Sequence, residues 1–196
     1  MKNSAVLREI DLLAVEHRLD ALSQTARAVQ AVNTICFCKR EAHRALTGHN
    51  TDVVGFEKSL SKHLTKQHTS ALVLGTGGSS GAVTHVLENL GIECQRVSRR
   101  SGEDRLTYEE LNPDKVASTP LIINCTPLGM HPETDACPDL PYQAITREHL
   151  LFDLIYNPAK TLFLAKGEAQ GATIVNGHEM LVYQAEAAWE IWNRKR

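Results

Sequence analysis

Several features that would place this sequence in other protein classes are missing from it. Its five cysteines form no C-x-x-C pair, and its nine histidines form no i, i+4 pair of the kind that binds zinc. We therefore expect reduced thiols and no bound metal. No apolar run is long enough to span a bilayer, and the residues after Met1 do not form a signal peptide. These absences favour a cytoplasmic protein.

The sequence also lacks an excess of either charge. It has 21 basic and 23 acidic residues, a formal net charge of −2 and a calculated pI of about 6.5. Neither nucleic acid nor an anionic membrane is therefore an expected partner. With 196 residues, 42% of them hydrophobic, the chain suits one large domain or one domain with a small attachment.

A glycine-rich loop is the most informative feature that is present. Residues 71–83, ALVLGTGGSSGAV, join a short apolar run to an apolar-periodic segment. This pattern predicts a strand, a tight turn and a helix N-terminus whose free N–H groups bind a pyrophosphate. An ordinary strand-to-helix turn is the alternative, because Ser80 occupies the third position of G-x-G-x-x-G. The predicted phosphate-binding residues are Gly75, Thr76, Gly77, Gly78 and Ser79.

A basic segment follows the next predicted strand, IECQRV at 92–97. It places Ser98, Arg99 and Arg100 about 20 residues beyond the glycines, where such folds contact the adenosine ribose. A site for NAD has Asp or Glu there, whereas guanidinium groups bind a 2′-phosphate bidentately. The segment therefore favours NADP as the cofactor, with a solvated turn as the alternative.

The order of elements predicts an α/β fold. From Ser70 onward, strands are predicted near 71–75, 92–98, 119–125, 150–155 and 173–176, and helices near 80–90, 160–170 and 178–193. Such alternation implies a Rossmann-like parallel sheet with helices on both faces. Before Ser70, the spacing predicts two short helices within 4–30, a strand over 31–38, a polar connection that contains Gly48, and a helix over about 52–66.

Five short strings occur in order along the chain: AVNT at 31–34, GHNTD at 48–52, NCTPLGM at 124–130, DLIYNP at 153–158 and GHEMLVYQ at 177–184. Together with the glycine loop they make the chain similar to the shikimate dehydrogenase family, from about Leu19 to the C-terminus. The resemblance implies an NADP-dependent enzyme that oxidises shikimate to 3-dehydroshikimate, with this small-molecule substrate between two domains. It divides the chain into a truncated α/β substrate-domain remnant, 1–66, and a Rossmann-like NADP-binding domain, 67–196, whose last helix returns toward the substrate side.

The resemblance also implies roles for individual residues. The substrate would be bound by Asn33, Asp52, Tyr156 and Gln184, and Asp52 would belong to the catalytic pair. The nicotinamide end of the cofactor would be lined by Thr126, Leu154, Gly177 and Met180. Each substrate-side residue has a plainer interpretation: a helix N-cap for Asp52, a strand end for Asn33, an exposed helix face for Gln184 and simple packing for Tyr156.

The chain departs from the family in its first third. The family's Ser-x-Ser turn, which binds the shikimate carboxylate, and its Asn-Val-Thr-x-Pro-x-Lys string, with the principal acid/base lysine, do not occur. Alignment on Asn33 places the lysine position near Leu12, and Lys2 is the only lysine upstream. Smaller changes are Gln30 for glycine, His49 for an aromatic residue and Ser98 for asparagine.

Three functions follow from these observations. The first is a shikimate dehydrogenase with weak or no activity unless another chain supplies the missing segment. The second is a non-catalytic NADP-binding module, and the third is a dehydrogenase for a related polyol such as quinate. A homodimer formed through an uncovered strand edge is compatible with each of them.

Overall fold

Two sheets organise the chain in a computed structural model, which describes residues 6–11, 18–40 and 43–194. The first part contains β1 (Val6–Asp11), β2 (Ala21–Leu22), α1 (Gln24–Val29), β3 (Ala31–Arg40), β4 (His43–His49) and α2 (Asp52–Leu60). The second part contains β5 (Ser70–Leu74), α3 (Gly78–Asn89), β6 (Glu93–Ser98), β7 (Arg105–Thr107), α4 (Pro113–Ala117), β8 (Leu121–Asn124), β9 (Leu150–Asp153), α5 (Leu162–Ala169), β10 (Thr173–Val175) and α6 (His178–Asn193).

The second sheet has six parallel strands in the order β10-β9-β8-β5-β6-β7. The chain starts in β5 near the centre, moves outward to β7, and then returns through β8 to the opposite edge. Strand order therefore reverses beside β5, and open α/β sheets bind ligands at the carboxyl ends of the strands at such a point. The predicted Rossmann-like sheet is confirmed.

The core lies on both faces of this sheet. Ala71 and Val73 point to one face and Leu72 and Leu74 to the other, and all four are buried. Helices α2, α3 and α6 cover the first face, while α4 and α5 cover the second. Phe56 of α2 meets Phe152 of β9 edge to face, with ring centroids 5.1 Å apart. Helix α2 therefore packs directly on the parallel sheet.

The first sheet has four strands in the order β1-β3-β4-β2, and β3 pairs antiparallel with both β1 and β4. Two sequence predictions are wrong here. Residues 6–11 form a strand rather than a helix, and the connection that contains Gly48 is strand β4. Both strands depend on hydrogen bonds to β3, as in the pairing of Val6 with Thr34, and short-range periodicity does not report such partners.

The remaining predicted elements agree with the structure apart from their lengths. The second predicted helix shrinks to Gln24–Val29 behind the strand Ala21–Leu22, and the helix predicted over 52–66 ends at Leu60. Strand β7 and helix α4 were not predicted. Leu12 and Lys2 lie outside the described residues. Among the described residues, no disulfide bond involves Cys36, Cys94, Cys125 or Cys137. None of the helices in the described part of the chain is both long enough and apolar enough to cross a membrane.

Candidate functional site

The glycine loop begins with a residue that only glycine fits. Gly75 follows β5 with φ +107°, a backbone conformation that L side chains rarely adopt. A Cβ there would lie 3.1 Å from Thr126 Cγ2 and 3.3 Å from the backbone of Cys125. The Gly75 N–H donates to the carbonyl oxygen of Val97 at 2.8 Å. The loop therefore touches the carboxyl ends of both neighbouring strands, β6 and β8.

The N-cap residue of α3 supplies no side-chain hydrogen bond to the first N–H groups of the helix. Gly77 is the N-cap residue, and a Cβ added to it would meet nothing within 4 Å. Ser80, at the third position of the motif, turns back so that its hydroxyl donates to the Gly77 carbonyl oxygen at 2.5 Å. Because the first N–H groups of a helix carry partial positive charge, this open end fits an anionic group such as a pyrophosphate.

A cleft of about 540 Å³ lies beside the loop and is lined by Thr76, Ser98, Arg99 and Arg100. It joins the glycine loop to the end of β6, as the sequence predicts. The Arg100 N–H donates to Ser98 Oγ at 3.3 Å, which bends the chain after the strand. Both arginines are exposed, and both line the cleft.

Two neighbouring arginines, Arg96 and Arg105, share an acidic partner, whereas Arg99 and Arg100 have none among the described residues. Asp104 pairs with Arg105 at 2.9 Å and with Arg96 at 3.4 Å, and chiefly the hydrogen bond from Arg105 holds the pKa of Asp104 below its usual value. Arg99 and Arg100 form no ion pair with any residue in the described ranges. The cleft therefore presents positive charge to a ligand.

On the other side of the sheet edge, Asn33 and Gln184 meet through Thr51. Asn33 Oδ1 accepts from the Thr51 N–H at 3.0 Å and from the Thr34 hydroxyl at 3.0 Å. The Thr51 hydroxyl lies 3.2 Å from Asn33 Oδ1 and 3.3 Å from Gln184 Oε1. Thr51 is buried at the start of α2, and these contacts connect it with both β3 and α6. Sequence reasoning gave it no role, although it stands inside the GHNTD string.

Asp52 is the first residue of α2 and is half-buried. The N–H groups of Asp52 and Val53 donate to Asn50 Oδ1 at 3.1 and 3.3 Å. Asn50 therefore caps the helix from inside the turn, and Thr51 is the N-cap residue. The interpretation of Asp52 as the N-cap is wrong, so its carboxylate is not needed for that task. It lies on the same helical turn as the Thr51 link.

Three of the four predicted nicotinamide-side residues come together at the ends of β8 and β9. A Cβ on Gly177 would lie 2.0 Å from the Leu154 carbonyl oxygen, so the two backbones are in direct contact. The Gly177 N–H donates to Ile155 O at 3.0 Å, and the Leu154 N–H donates to Asn124 O at 3.1 Å. Thr126, two residues after Asn124, lies at the same end of β8 and donates its N–H to Asn124 Oδ1.

The fourth residue, Met180, is buried one turn into α6, and its carbonyl oxygen faces Gly55 of α2. Gly55 also approaches Gln184, so the contact between α2 and α6 involves one residue predicted to bind substrate and one predicted to line the nicotinamide. Tyr156 lies on the loop after β9 and is 51% exposed. The structure thus places Tyr156 at the sheet edge without packing it into the core.

A buried polar network that sequence reasoning missed lies beneath these loops. Asp153 Oδ1 accepts from Asn124 Nδ2 and from the Ile155 N–H, each at 3.0 Å, and Asp153 Oδ2 accepts from the Thr161 hydroxyl at 2.5 Å. Burial raises the pKa of Asp153 to about 6 against the opposing effect of these hydrogen bonds. Asn124 and Asp153 end the apolar strands LIIN and LLFD, which was the available sequence signal.

The fold is of the Rossmann type, and its site has the glycine turn and helix N-terminus that are typical of dinucleotide-binding folds. No protein-family model matches the chain. It is 35% identical to a shikimate dehydrogenase (NADP(+)) from Desulforamulus reducens, over 89% of this chain and 65% of that protein. A shikimate dehydrogenase (NADP(+)) from Methanococcus maripaludis is 33% identical, over 91% of this chain and 67% of that protein.

A solved structure is similar to this chain in both sequence and fold. Shikimate 5-dehydrogenase from Thermus thermophilus, in complex with NADP(H) and shikimate, is 30% identical and superposes with a TM-score of 0.77, over 92% of this chain and 69% of that one. The chain belongs to the shikimate dehydrogenase family. It spans about two thirds of the length of the curated relatives it matches.

Proposed function

We propose that this chain binds NADP(H) and takes part in the oxidation of shikimate to 3-dehydroshikimate. The observation that carries the proposal is the cleft beside the glycine loop, where Arg99 and Arg100 present positive charge that no acidic residue of the described ranges pairs. A 2′-phosphate distinguishes NADP from NAD, and guanidinium groups bind phosphate bidentately. Relatives named as NADP-dependent enzymes support the same cofactor.

The cofactor would lie along the carboxyl edge of the parallel sheet. The open N-terminus of α3 would hold the pyrophosphate, through the N–H groups after Gly77. Thr126, Leu154, Gly177 and Met180 would border the nicotinamide ring. NADP supplies a hydride acceptor when it is bound. Gly75 and Gly177 fit this role because a Cβ at either position would meet backbone atoms that border the site.

The substrate hydroxyls would face the Asn33, Asp52 and Gln184 set. Asn33 Oδ1 is already used by Thr51 and Thr34, which leaves its Nδ2 group to donate to a substrate hydroxyl. Asp52 would accept the proton that leaves the carbinol hydroxyl as the hydride departs from the same carbon. Tyr156, on the loop after β9, would contact the substrate from the cofactor side.

A second candidate, a non-catalytic NADP-binding module, is favoured by one observation. Between Lys2 and Lys39 this sequence contains no lysine, so the acid/base lysine of the family has no counterpart near Leu12. Loss of a general acid/base costs about 10²–10⁴ in rate. We therefore propose that any turnover by the chain alone is slow. A homodimer, a cytoplasmic location and a boundary at residue 66 are further predictions of this proposal.

Cofactor titration tests the proposal first. NADPH and NADH are added to the full chain, and binding is followed by the fluorescence of the reduced nicotinamide. We expect at least about tenfold tighter binding of NADPH, the effect of one charge-assisted contact. Equal affinities would overturn the assignment of the arginine cleft.

Turnover is then measured as the reduction of NADP in the presence of shikimate or of quinate. Slow turnover that depends on shikimate supports the dehydrogenase. NADPH binding without turnover on either polyol supports the non-catalytic module. Turnover with quinate but not with shikimate would show that the chain is a dehydrogenase for the related polyol.

A further inference from the structure

The Asp153 carboxylate ties together the two loops that border the nicotinamide end of the proposed site. Asp153 ends β9 and is fully buried. We propose that Asp153 is a positioning residue, which holds Thr126 on one loop and Leu154 and Tyr156 on the other in the arrangement that receives the nicotinamide ring. This inference rests on the proposed function and adds to it a residue that touches neither cofactor nor substrate.

The first connection runs through Asn124. The Asn124 side chain donates its Nδ2 to Asp153 Oδ1 at 3.0 Å, and this bond fixes the orientation of the amide. Its oxygen then faces the loop that follows β8, where it accepts from the Thr126 N–H at 3.0 Å and from the Thr126 hydroxyl at 2.7 Å. Without the carboxylate, the amide loses the bond that sets its orientation, and the two bonds that Thr126 donates to Asn124 Oδ1 lose their fixed acceptor.

The second connection closes the loop that follows β9. Asp153 Oδ1 accepts from the Ile155 N–H where the loop begins, and Oδ2 accepts from the Thr161 hydroxyl where it ends. Thr161 is the N-cap residue of α5, and its Oγ1 also accepts from the Leu164 N–H. One carboxylate therefore fixes both ends of the 154–160 segment, which carries Tyr156.

The chemistry of the partners explains why this residue is an acid. Three donors and no acceptor from the described residues bond the two carboxylate oxygens. An asparagine keeps one oxygen for Asn124 and Ile155, and its amide group can donate to the Thr161 hydroxyl, which is also an acceptor. An alanine leaves three donors without partners. Asp153→Asn is therefore the conservative change and Asp153→Ala the disruptive one.

The test compares two ligands on the full chain. NADPH spans the whole proposed site, whereas 2′,5′-ADP occupies only its adenosine and 2′-phosphate end. We expect Asp153→Ala to weaken NADPH binding about tenfold, since a fixed loop is lost, and to change 2′,5′-ADP binding by less than about twofold. Asp153→Asn should recover NADPH binding to within about threefold of the unchanged chain. Asp135→Ala, an exposed acid on the loop after β8, is the matched control.

Each outcome decides the matter. Unchanged NADPH affinity in Asp153→Ala, or an equal loss for both ligands, overturns the inference. Where circular dichroism shows that Asp153→Ala does not fold, Thr161→Val is compared in its place, because it removes one donor and keeps the side-chain size. A loss for NADPH alone then supports the inference, and unchanged NADPH affinity or an equal loss for both ligands overturns it. Failure of the unchanged chain to bind 2′,5′-ADP overturns the proposed function, and this inference with it.

Discussion

Gly55 of α2 packs directly against the backbone of Met180 in α6. A Cβ on Gly55 would lie 2.6 Å from the Met180 carbonyl oxygen and 3.0 Å from Gln184 Cβ. This close approach brings Thr51, one turn earlier in α2, to within 3.3 Å of Gln184 Oε1. The contact between the proposed substrate residues of these two distant chain segments therefore depends on one glycine.

Gly55→Ala should destabilise the protein. In an open helix this change stabilises by about 1 kcal/mol, but here the new methyl meets a backbone oxygen that cannot move aside alone. We expect the free energy of unfolding in urea to fall by about 1–3 kcal/mol. Gly77→Ala is the control, because its Cβ enters open space and should leave stability within about 0.5 kcal/mol. A more stable Gly55→Ala variant would contradict the observed helix contact.

Arg99→Ala should reduce the preference for NADPH over NADH. The guanidinium in the cleft is expected to bind the 2′-phosphate, which NADH lacks, so only NADPH should lose affinity, by about tenfold. Isothermal titration with both cofactors measures the ratio. Arg147→Ala serves as the control, since Arg147 is exposed and pairs only with its neighbour Glu148 among the described residues. An equal loss for the two cofactors would count against a 2′-phosphate contact.

Asp52→Asn should abolish shikimate-dependent reduction of NADP while leaving the fold intact. The amide cannot accept the carbinol proton, and removal of a general base costs about 10²–10⁴ in rate. The helix start is capped by Asn50, so stability should change by less than about 1 kcal/mol, the value of a negative charge in the first helical turn. Glu57→Gln, on the exposed side of α2, is the control. An unchanged rate would exclude Asp52 as the base.

The buried Asp153 should make stability depend on pH in a defined direction. Burial raises the pKa of Asp153 in the folded state to about 6, above its unfolded value of 3.8, so the folded protein binds this proton more tightly. The stabilisation that this raised pKa gives to the folded state is fully present below pH 4 and is lost as the pH rises through 6. The free energy of unfolding should fall by about 3 kcal/mol over this range. Asp153→Asn does not titrate.

Urea denaturation of both proteins from pH 4 to pH 7 measures this effect. The stability of the unchanged chain relative to Asp153→Asn should fall across that interval, because all other carboxylates are common to the two proteins. A difference that stays constant, or that grows with pH, would show that hydrogen bonding to the ionised form outweighs burial.

The parts of the fold that were predictable from sequence are those with local signals. Strand β5, the glycine turn and α3 are adjacent in the chain, and each carries its own pattern of apolar residues and glycines. The basic residues Arg99 and Arg100 were predictable for the same reason, because in a βαβ unit the end of the second strand lies beside the first loop. Strands β1 and β4 were missed because their stability comes from pairing with β3.

Sequence alone was enough to establish the Rossmann-like half of this protein, its glycine loop and its basic segment, because each depends on neighbours along the chain. Tertiary structure alone decided which polar groups cooperate. Thr51 meets Gln184 across 133 positions, and Asn124 meets Asp153 across 29. Such contacts form only when helices and strands pack, since burial makes an unpaired polar group costly and so selects the partners.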